Sequence, residues 1–501
     1  MASPPRATWP GSGKESEANV LDYDLSDRGA LGLYESLCRH VRDDIVRGVL
    51  APGEKLPSKR QLAAQLGVSL ITVETALGQL VAEGYLVAKP RRGYYVARIG
   101  RLPQPAARPV PASRQPRQAG RPLVADASRL PVQPDPGALA LWEKSLRAVL
   151  SSEHLEEAFA ALTPQGLPRL QADIAHLLAH TRGMVVDPSQ VIVAAGAQVL
   201  YQLVSQLLPR DAGFAVEDPG FPRIARTYEA EGRSCASVAI DAEGMSMRQL
   251  RESGASLAHV MPSHQFPTGR VMSVARRYEL LGWASERPGR LVVEDDYDCE
   301  FRLAGRPIPA LASIDATGRV IYLGTFSKGL GPVVRAAYAV LPPALVERYE
   351  GLSSAAAGTM GLIDQLALAR MLEGGGYEGH VARYRRQVRA RRDRLCRELA
   401  AALGDVVGFE EADSGLHLVL ALRLGAGWAG REAEAEAALA RAAREKGVGL
   451  APLSSFARLP YAGAGSRRAR FVLQYERLED AQQDVLVACL GRLVEEVGIA
   501  R

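Results

Sequence analysis

The sequence predicts a two-part chain. A small N-terminal unit of three helices and a basic hairpin precedes a large α/β unit with a mostly parallel sheet and a small C-terminal α/β subdomain. Three observations carry this reading. Apolar residues recur at helical spacing through residues 33–82, and strand-like residues follow them. The stretch from Arg98 to Pro122 holds Arg and Pro but no acid, the composition of a semi-rigid spacer. Beyond it, short apolar runs alternate with helical patterns, as in a parallel sheet covered by helices. At 501 residues the chain exceeds what one core holds. The expected divisions are a flexible arm (1–28), a first domain (29–97), the linker (98–122) and a large domain (123–501), whose small subdomain begins at about 376.

Bulk numbers exclude more than they assign. A net charge of +5 is too small to argue for nucleic acid, so local distribution must decide. Five scattered cysteines without a CxxC pair point away from a disulfide framework or a cysteine metal site and toward a reducing compartment. No run approaches 18 apolar residues and the N-terminus lacks an apolar signal core, so a cytoplasmic protein without a membrane partner is expected.

In the first domain, Leu33, Leu37, Val41 and Ile45 form one helical stripe, stopped by Gly48. Ser58 can cap a second helix that Gly67 ends, and Ser69 can cap a third. Two short helices joined through Gly67-Val68-Ser69 have the helix-turn-helix form. YLVAKPRRGYYVA then reads as two strands around a tight turn, with Lys89, Arg91, Arg92 and Gly93 at the tip. The sum is a winged helix-turn-helix of α+β type, which places its third helix in a major groove and its wing on the phosphate backbone or in the minor groove of double-stranded DNA. Ser58, Lys59 and Arg60 at the start of the second helix favour phosphate, and Ser69 and Thr72 open the candidate recognition helix, where Thr72 is the candidate for a base contact. The linker, about 25 residues at ~3.1 Å each, can span roughly 75 Å.

In the large domain, each apolar run delivers polar residues at its C-terminal end, where open parallel sheets place ligands. Val191-Ile192-Val193 leads to Gly196-Ala197-Gln198, a turn that lets phosphate approach a helix start. Phe214-Ala215-Val216 leads to Glu217-Asp218-Pro219-Gly220-Phe221-Pro222-Arg223, and Leu291-Val292-Val293 to Glu294-Asp295-Asp296-Tyr297-Asp298. Val320-Ile321-Tyr322-Leu323 leads to Ser327-Lys328, with Arg335 seven residues on. A lysine beside a serine there is a plausible Schiff-base anchor for pyridoxal 5'-phosphate, with Ser327 and Arg335 on the phosphate. The same pattern also fits a strand–turn with a surface lysine. The acid cluster has no histidine pair beside it in sequence, which sets a metal aside; Asp295 suits the pyridine nitrogen and Tyr297 the ring hydroxyl. The basic helix Tyr377–Leu395 reads as an exposed face.

From Pro52-Gly53-Glu54-Lys55-Leu56-Pro57-Ser58-Lys59-Arg60 to Gly67-Val68-Ser69 and Thr72-Val73, the first domain resembles GntR-type winged helices. Leu70 departs from the arginine usual in that family. The large domain resembles fold-type I aminotransferases, and the whole chain is similar to the MocR/GabR subfamily of GntR regulators. The matching stretches are GAQ at 196–198, EDPGF at 217–221, SHQFPTG at 263–269, EDDYDCEF at 294–301, YLGTFSK at 322–328 and GLHL at 415–418. The resemblance implies a PLP-dependent transferase fold, with Lys328 forming the aldimine, Asp295 on the pyridine nitrogen and Tyr297 on the ring hydroxyl. Ser327, Arg335, Ala197 and Gln198 would hold phosphate, and Phe221 would pack near the ring. Arg223 would receive an effector carboxylate, and Arg470 is the match for a second carboxylate-binding arginine. It also implies a head-to-tail domain-swapped homodimer. Phe266 stands where working aminotransferases carry asparagine in an NPTG turn. The expected function is a PLP-dependent DNA-binding regulator that senses an amino compound or a vitamin B6 form. A genuine aminotransferase with an accessory winged helix is the alternative, and a cofactor-free dimerisation scaffold is a third reading.

Overall fold

The computed structural model describes residues 21, 23, 25, 32–99, 122–129, 135–151, 155–305, 308–353, 360–413, 415–460 and 466–496. The chain divides into two compact units, 1–119 and 120–501. Most of the expected arm (1–28) and of the linker (98–122) lies outside the described residues.

The first unit comprises α1 (Leu33–Arg47), α2 (Lys59–Leu66), α3 (Leu70–Ala82), β1 (Leu86–Lys89) and β2 (Gly93–Val96). Ser58 caps α2 by accepting from the Gln61 amide at 3.3 Å, while the Gln61 side chain accepts from the Ser58 amide at 3.0 Å. Gly67, at φ 64°, ends α2 in a left-handed conformation. Ser69 then caps α3 through the Thr72 amide at 3.1 Å. β1 and β2 pair antiparallel from Leu86↔Val96 to Lys89↔Gly93. Leu37, Val41, Leu62, Val73, Leu77 and Leu80 close one core beneath them.

One expectation fails at the edge of this unit. Leu21 and Leu25 are buried against the winged-helix core, and the Tyr23 hydroxyl donates to Asp44 at 2.8 Å. In LDYDL the apolar side chains alternate with acids, a period of two that turns one face onto the helices. These three residues are therefore docked and not part of a free arm.

The second unit is built on a seven-stranded sheet. Its order is Val191–Ala194, Ala337–Val340, Val320–Thr325, Leu291–Asp296, Leu257–Val260, Phe214–Asp218, Cys235–Ala239. Ala337–Val340 runs antiparallel to both its neighbours, and the remaining pairs are parallel. The four central parallel strands thus end along one edge, which is why their following residues meet. The C-terminal subdomain holds a four-stranded antiparallel sheet of Val407–Glu410, His417–Arg423, Arg468–Gln474 and Ala451–Pro452. Ala125–Asp126 pairs with Val448–Gly449, so the chain just after the linker is stitched to the C-terminal region. Among the described residues no single helix is long and apolar enough to cross a membrane.

Gly415 sits where the two parts of this unit meet. Its φ is 72°, and an added Cβ would lie 1.9 Å from His264 Cε1 and 2.6 Å from Asp298 Oδ2. Gly415→Ala should therefore cost roughly 3–5 kcal/mol, the range of the most damaging single substitutions. Gly491, in helix Asp480–Glu496, has open space around its missing Cβ. Gly491→Ala should be neutral or stabilise by up to ~1 kcal/mol. Urea denaturation of the two variants beside the parent protein checks both signs.

Candidate functional site

The strand Leu291–Asp296 sends successive side chains to opposite faces. Glu294 and Asp296 point to one side and become structural. Glu294 accepts from the Leu311 and Ala312 amides, both at 2.8 Å. Asp296 is held by Arg182 at 2.7 Å and by the Tyr322 hydroxyl at 2.6 Å. Asp295 points the other way, into a cavity of about 170 Å³ that Lys328 also lines. The Tyr201 hydroxyl donates to Asp295 at 2.6 Å, and His259 Nε2 lies 3.5 Å from the same carboxylate oxygen. Burial, then the neighbouring Asp295 charge, push the Tyr201 phenol well above its ordinary range, so it remains a donor.

Gly196, Ala197, Gln198, Phe221, Arg223, Tyr297, Ser327 and Arg335 line the same cavity. The structure thus gathers the expected cofactor residues and Arg223 in one place. Helix Ala197–Leu207 starts at the cavity without a side-chain cap, and the positive end of its dipole suits an anion. Gly196, at φ 104°, allows close approach, since an added Cβ would lie 3.0 Å from Arg335 Nη2. Among the described residues neither Arg223 nor Arg335 makes an ion pair. The donor set fits pyridoxal 5'-phosphate: a lysine amine, a buried carboxylate held by a phenol, and an arginine beside a glycine-opened helix start. Arg335, Ser327 and the first turn of that helix would hold its phosphate, Asp295 its ring nitrogen, and Lys328 its aldehyde carbon.

Arg470 is not at this cavity. Its guanidinium pairs with Glu410 at 3.0 Å on the neighbouring subdomain sheet, a long-range partner that the local sequence did not disclose. Phe266 packs edge-on to Phe221, Phe456 and His417, with centroids 5.1–5.5 Å apart, so the asparagine position has become an apolar wall. Behind Phe221 lies a second cavity of about 210 Å³, bordered by Glu217, Arg226, Glu229 and Arg458.

Several site residues carried no sequence signal. Tyr201 is one helical turn beyond Ala197, and only the fold turns it toward Asp295. The reason for setting a metal aside also needs correction, because a histidine pair absent in sequence is present in space. His264 and His417 converge on Asp298, all buried, with donor atoms within 4.8 Å of one another. These donors are largely spent on protein partners. His264 Nδ1 lies 2.8 Å from Asp298 and 3.0 Å from the Tyr297 hydroxyl, while His417 Nε2 meets the Pro267 carbonyl at 3.2 Å. The cluster therefore braces Tyr297 from behind and joins the sheet edge to the C-terminal subdomain.

In the winged helix, Arg60, Arg91 and Arg92 are exposed, and Arg91 takes a left-handed φ of 59° in the wing turn before Gly93. Lys59 pairs with Glu74 at 2.9 Å and lies over the Tyr94 ring. The Ser69 and Thr72 hydroxyls bond each other at 2.8 Å, which fixes the Thr72 side chain at the start of α3. Ile71, Glu74 and Thr75 face outward.

A winged helix and an α/β unit with a lysine-centred cofactor pocket define a DNA-binding regulator built on an aminotransferase-type domain. Residues 33–96 match the bacterial regulatory proteins of the gntR family, and residues 141–473 match aminotransferase class I and II. The chain belongs to the gntR-family transcription regulators that carry a pyridoxal-phosphate-dependent, aminotransferase class I and II domain. It is 34% identical to the uncharacterized HTH-type transcriptional regulator YdeL of Bacillus subtilis, over 84% of this chain and 89% of that one. It is 33% identical to the probable rhizopine catabolism regulatory protein MocR of Rhizobium meliloti, over 87% and 88%. It is 34% identical to the HTH-type pyridoxine biosynthesis transcriptional regulator PdxR of Corynebacterium glutamicum, over 77% and 82%. In fold it is similar to a multiple substrate aminotransferase from Thermococcus profundus (TM-score 0.61, 23% identity, 74% of this chain, 92% of that one). It is also similar to Pyrococcus horikoshii kynurenine aminotransferase (TM-score 0.62, 23% identity, 74% and 91%).

Burial pushes the Glu217 carboxyl up to about 8, from an ordinary value of 4.5. Between those values the folded chain holds a proton that the unfolded chain has lost. Stability from this site therefore falls as pH rises from about 5 to about 8. Glu217→Gln removes the titration, so its denaturation midpoint should gain on the parent's across that window. Paired urea titrations at several pH values should show a gap that grows with pH.

Proposed function

We propose that the chain is a cytoplasmic transcription regulator that binds operator DNA as a homodimer. Its aminotransferase-type unit takes up a small amino compound or a form of vitamin B6. The observation that carries this reading is the cavity in which Lys328, Asp295, Arg335 and Arg223 meet. Pyridoxal 5'-phosphate supplies there an aldehyde that reacts reversibly with primary amines, with a ring that withdraws electrons. The chain's own residues do the rest. Arg335 and the start of helix Ala197–Leu207 neutralise a phosphate. Asp295, held by Tyr201, presents a carboxylate to a protonated ring nitrogen. Arg223 is left to receive a carboxylate, which selects ligands bearing both an amine and an acid. Two relatives named as regulators of rhizopine catabolism and of pyridoxine biosynthesis support a role in controlling small-molecule metabolism.

A working aminotransferase is the second reading, favoured by the lysine and aspartate and opposed by Phe266, which offers no hydrogen bond where those enzymes have asparagine. A head-to-tail swapped dimer would give two winged helices to two half-sites.

If effector and DNA are coupled, operator DNA changes effector affinity by the same factor that effector changes operator affinity. The test titrates α- and γ-amino acids and pyridoxamine against the cofactor-loaded protein by visible absorbance, with and without operator. The affinity of the active compound should shift about 5-fold or more when operator is present. Arg223→Ala should weaken carboxylate-bearing effectors at least ~10-fold while leaving cofactor loading intact. Equal affinities with and without DNA would leave an effector domain that does not act on DNA binding.

A further inference from the structure

The outward face of α3 contains no arginine, lysine, histidine or asparagine. Its sequence is LITVETALGQLVA, and Val73, Ala76, Leu77 and Leu80 turn inward to the core. The opposite stripe is Ile71, Glu74, Thr75, Gly78 and Gln79, at spacings of three and four. Most polar capacity on it is already engaged. Glu74 is paired with Lys59, the Thr75 hydroxyl donates to the Ile71 carbonyl at 2.9 Å, and the Gln79 side-chain amide donates to Glu83 at 2.8 Å.

What remains at the tip of the helix is apolar. Ile71 is 75% exposed and Leu70 41% exposed. Single exposed apolar residues are ordinary. Two adjacent ones in the first turn of the recognition helix occupy the position from which helix-turn-helix proteins reach base edges. The surroundings suit DNA. Lys59 bridges the start of α2 to the outward stripe and lies over Tyr94 of the wing, so that stripe, the start of α2 and β2 lie close together. Exposed Arg60, Arg91 and Arg92 supply phosphate-binding charge in the same unit. In the major groove, guanine is read chiefly by arginine or lysine and adenine by asparagine or glutamine. The one apolar group that base edges present there is the C5-methyl of thymine.

We propose that Leu70 and Ile71 are base-reading residues of this winged helix, and that they recognise thymine methyl groups in each operator half-site. This rests on the DNA-binding reading and adds its specificity. Phosphate contacts from Arg60, Arg91 and Arg92 set position, and apolar contact from the first turn of α3 sets sequence. A protein partner seated on the same two residues would give a different experimental result.

The experiment selects binding sites from random duplex DNA with the full-length protein, then replaces each fixed thymine by uracil, which lacks only the methyl. The affinity should fall about 4-fold per contacted position, the equivalent of ~0.8 kcal/mol for one methyl-sized group. Ile71→Ser and Leu70→Ala should bind the thymine duplex more weakly and lose the discrimination between thymine and uracil. Both residues are exposed, so the variants should keep the parental melting temperature, and their salt dependence should be unchanged because no phosphate contact is lost. Arg92→Ala should instead weaken thymine and uracil duplexes alike and flatten the salt dependence. Failure to select any DNA would refute the DNA-binding reading itself. Selected sites with no thymine–uracil difference would overturn this inference alone. So would variants that bind DNA as the parent does but change oligomeric state, since the patch would then be a protein interface.

Discussion

Burying carboxylates at the end of one strand is the constraint on which the large unit depends. Glu294, Asp295, Asp296 and Asp298 are all buried. An unpaired buried charge costs several kcal/mol, so each acid dictates what must surround it. Asp296 fixes Arg182 and Tyr322, and with Arg182 it fixes Ser263, which accepts from that arginine at 2.8 Å. Glu294 clamps the backbone at Leu311 and Ala312, and burial followed by the Asp296 charge pushes it up to about 7. Asp298 holds His264. With those three satisfied locally, Asp295 is the carboxylate left facing the cavity, with Tyr201 and His259 as its supports. Strand alternation separates the scaffold acids from the ligand acid without any further device.

The same edge ties the sheet to the C-terminal subdomain. Asp218 accepts from the Arg458 and Leu459 amides at 2.8 and 2.6 Å, and Gly220 donates to the Phe456 carbonyl at 3.2 Å. Phe266 touches both Phe221 and Phe456, and His264 touches His417. A ligand that moves Phe221 or Arg223 therefore acts on residues already packed against the second subdomain. This is a physical path by which effector chemistry can bias a larger rearrangement, provided the two arrangements bind effector differently.

Much of this was legible in the sequence because parallel strands broadcast their function at their C-terminal ends. Short apolar runs followed by Gly196-Ala197-Gln198, Phe221, Asp295 and Ser327-Lys328 were enough to gather a cofactor site. The caps Ser58 and Ser69 and the stops Gly48 and Gly67 likewise made the first three helices readable. What escaped was set by contacts across long separations. Arg470 reads as a ligand-binding arginine until Glu410, sixty residues earlier, is found against it. The His264–Asp298–His417 cluster spans three segments, and the strand at Ala125 needs a partner at Val448. Leu21 and Leu25 were obscured by the polar composition around them. The bond between the Ser69 and Thr72 hydroxyls likewise exists only once α3 has formed.

Lys328, which lines one cavity with Asp295 and Arg335, is the residue that would hold the cofactor. The most direct measurement is borohydride reduction of the protein after incubation with pyridoxal 5'-phosphate, followed by peptide mapping. One stoichiometric label is expected, on Lys328, and it should disappear in Lys328→Ala while the variant keeps the parental fold. Label spread over exposed lysines, or none on Lys328, would contradict it.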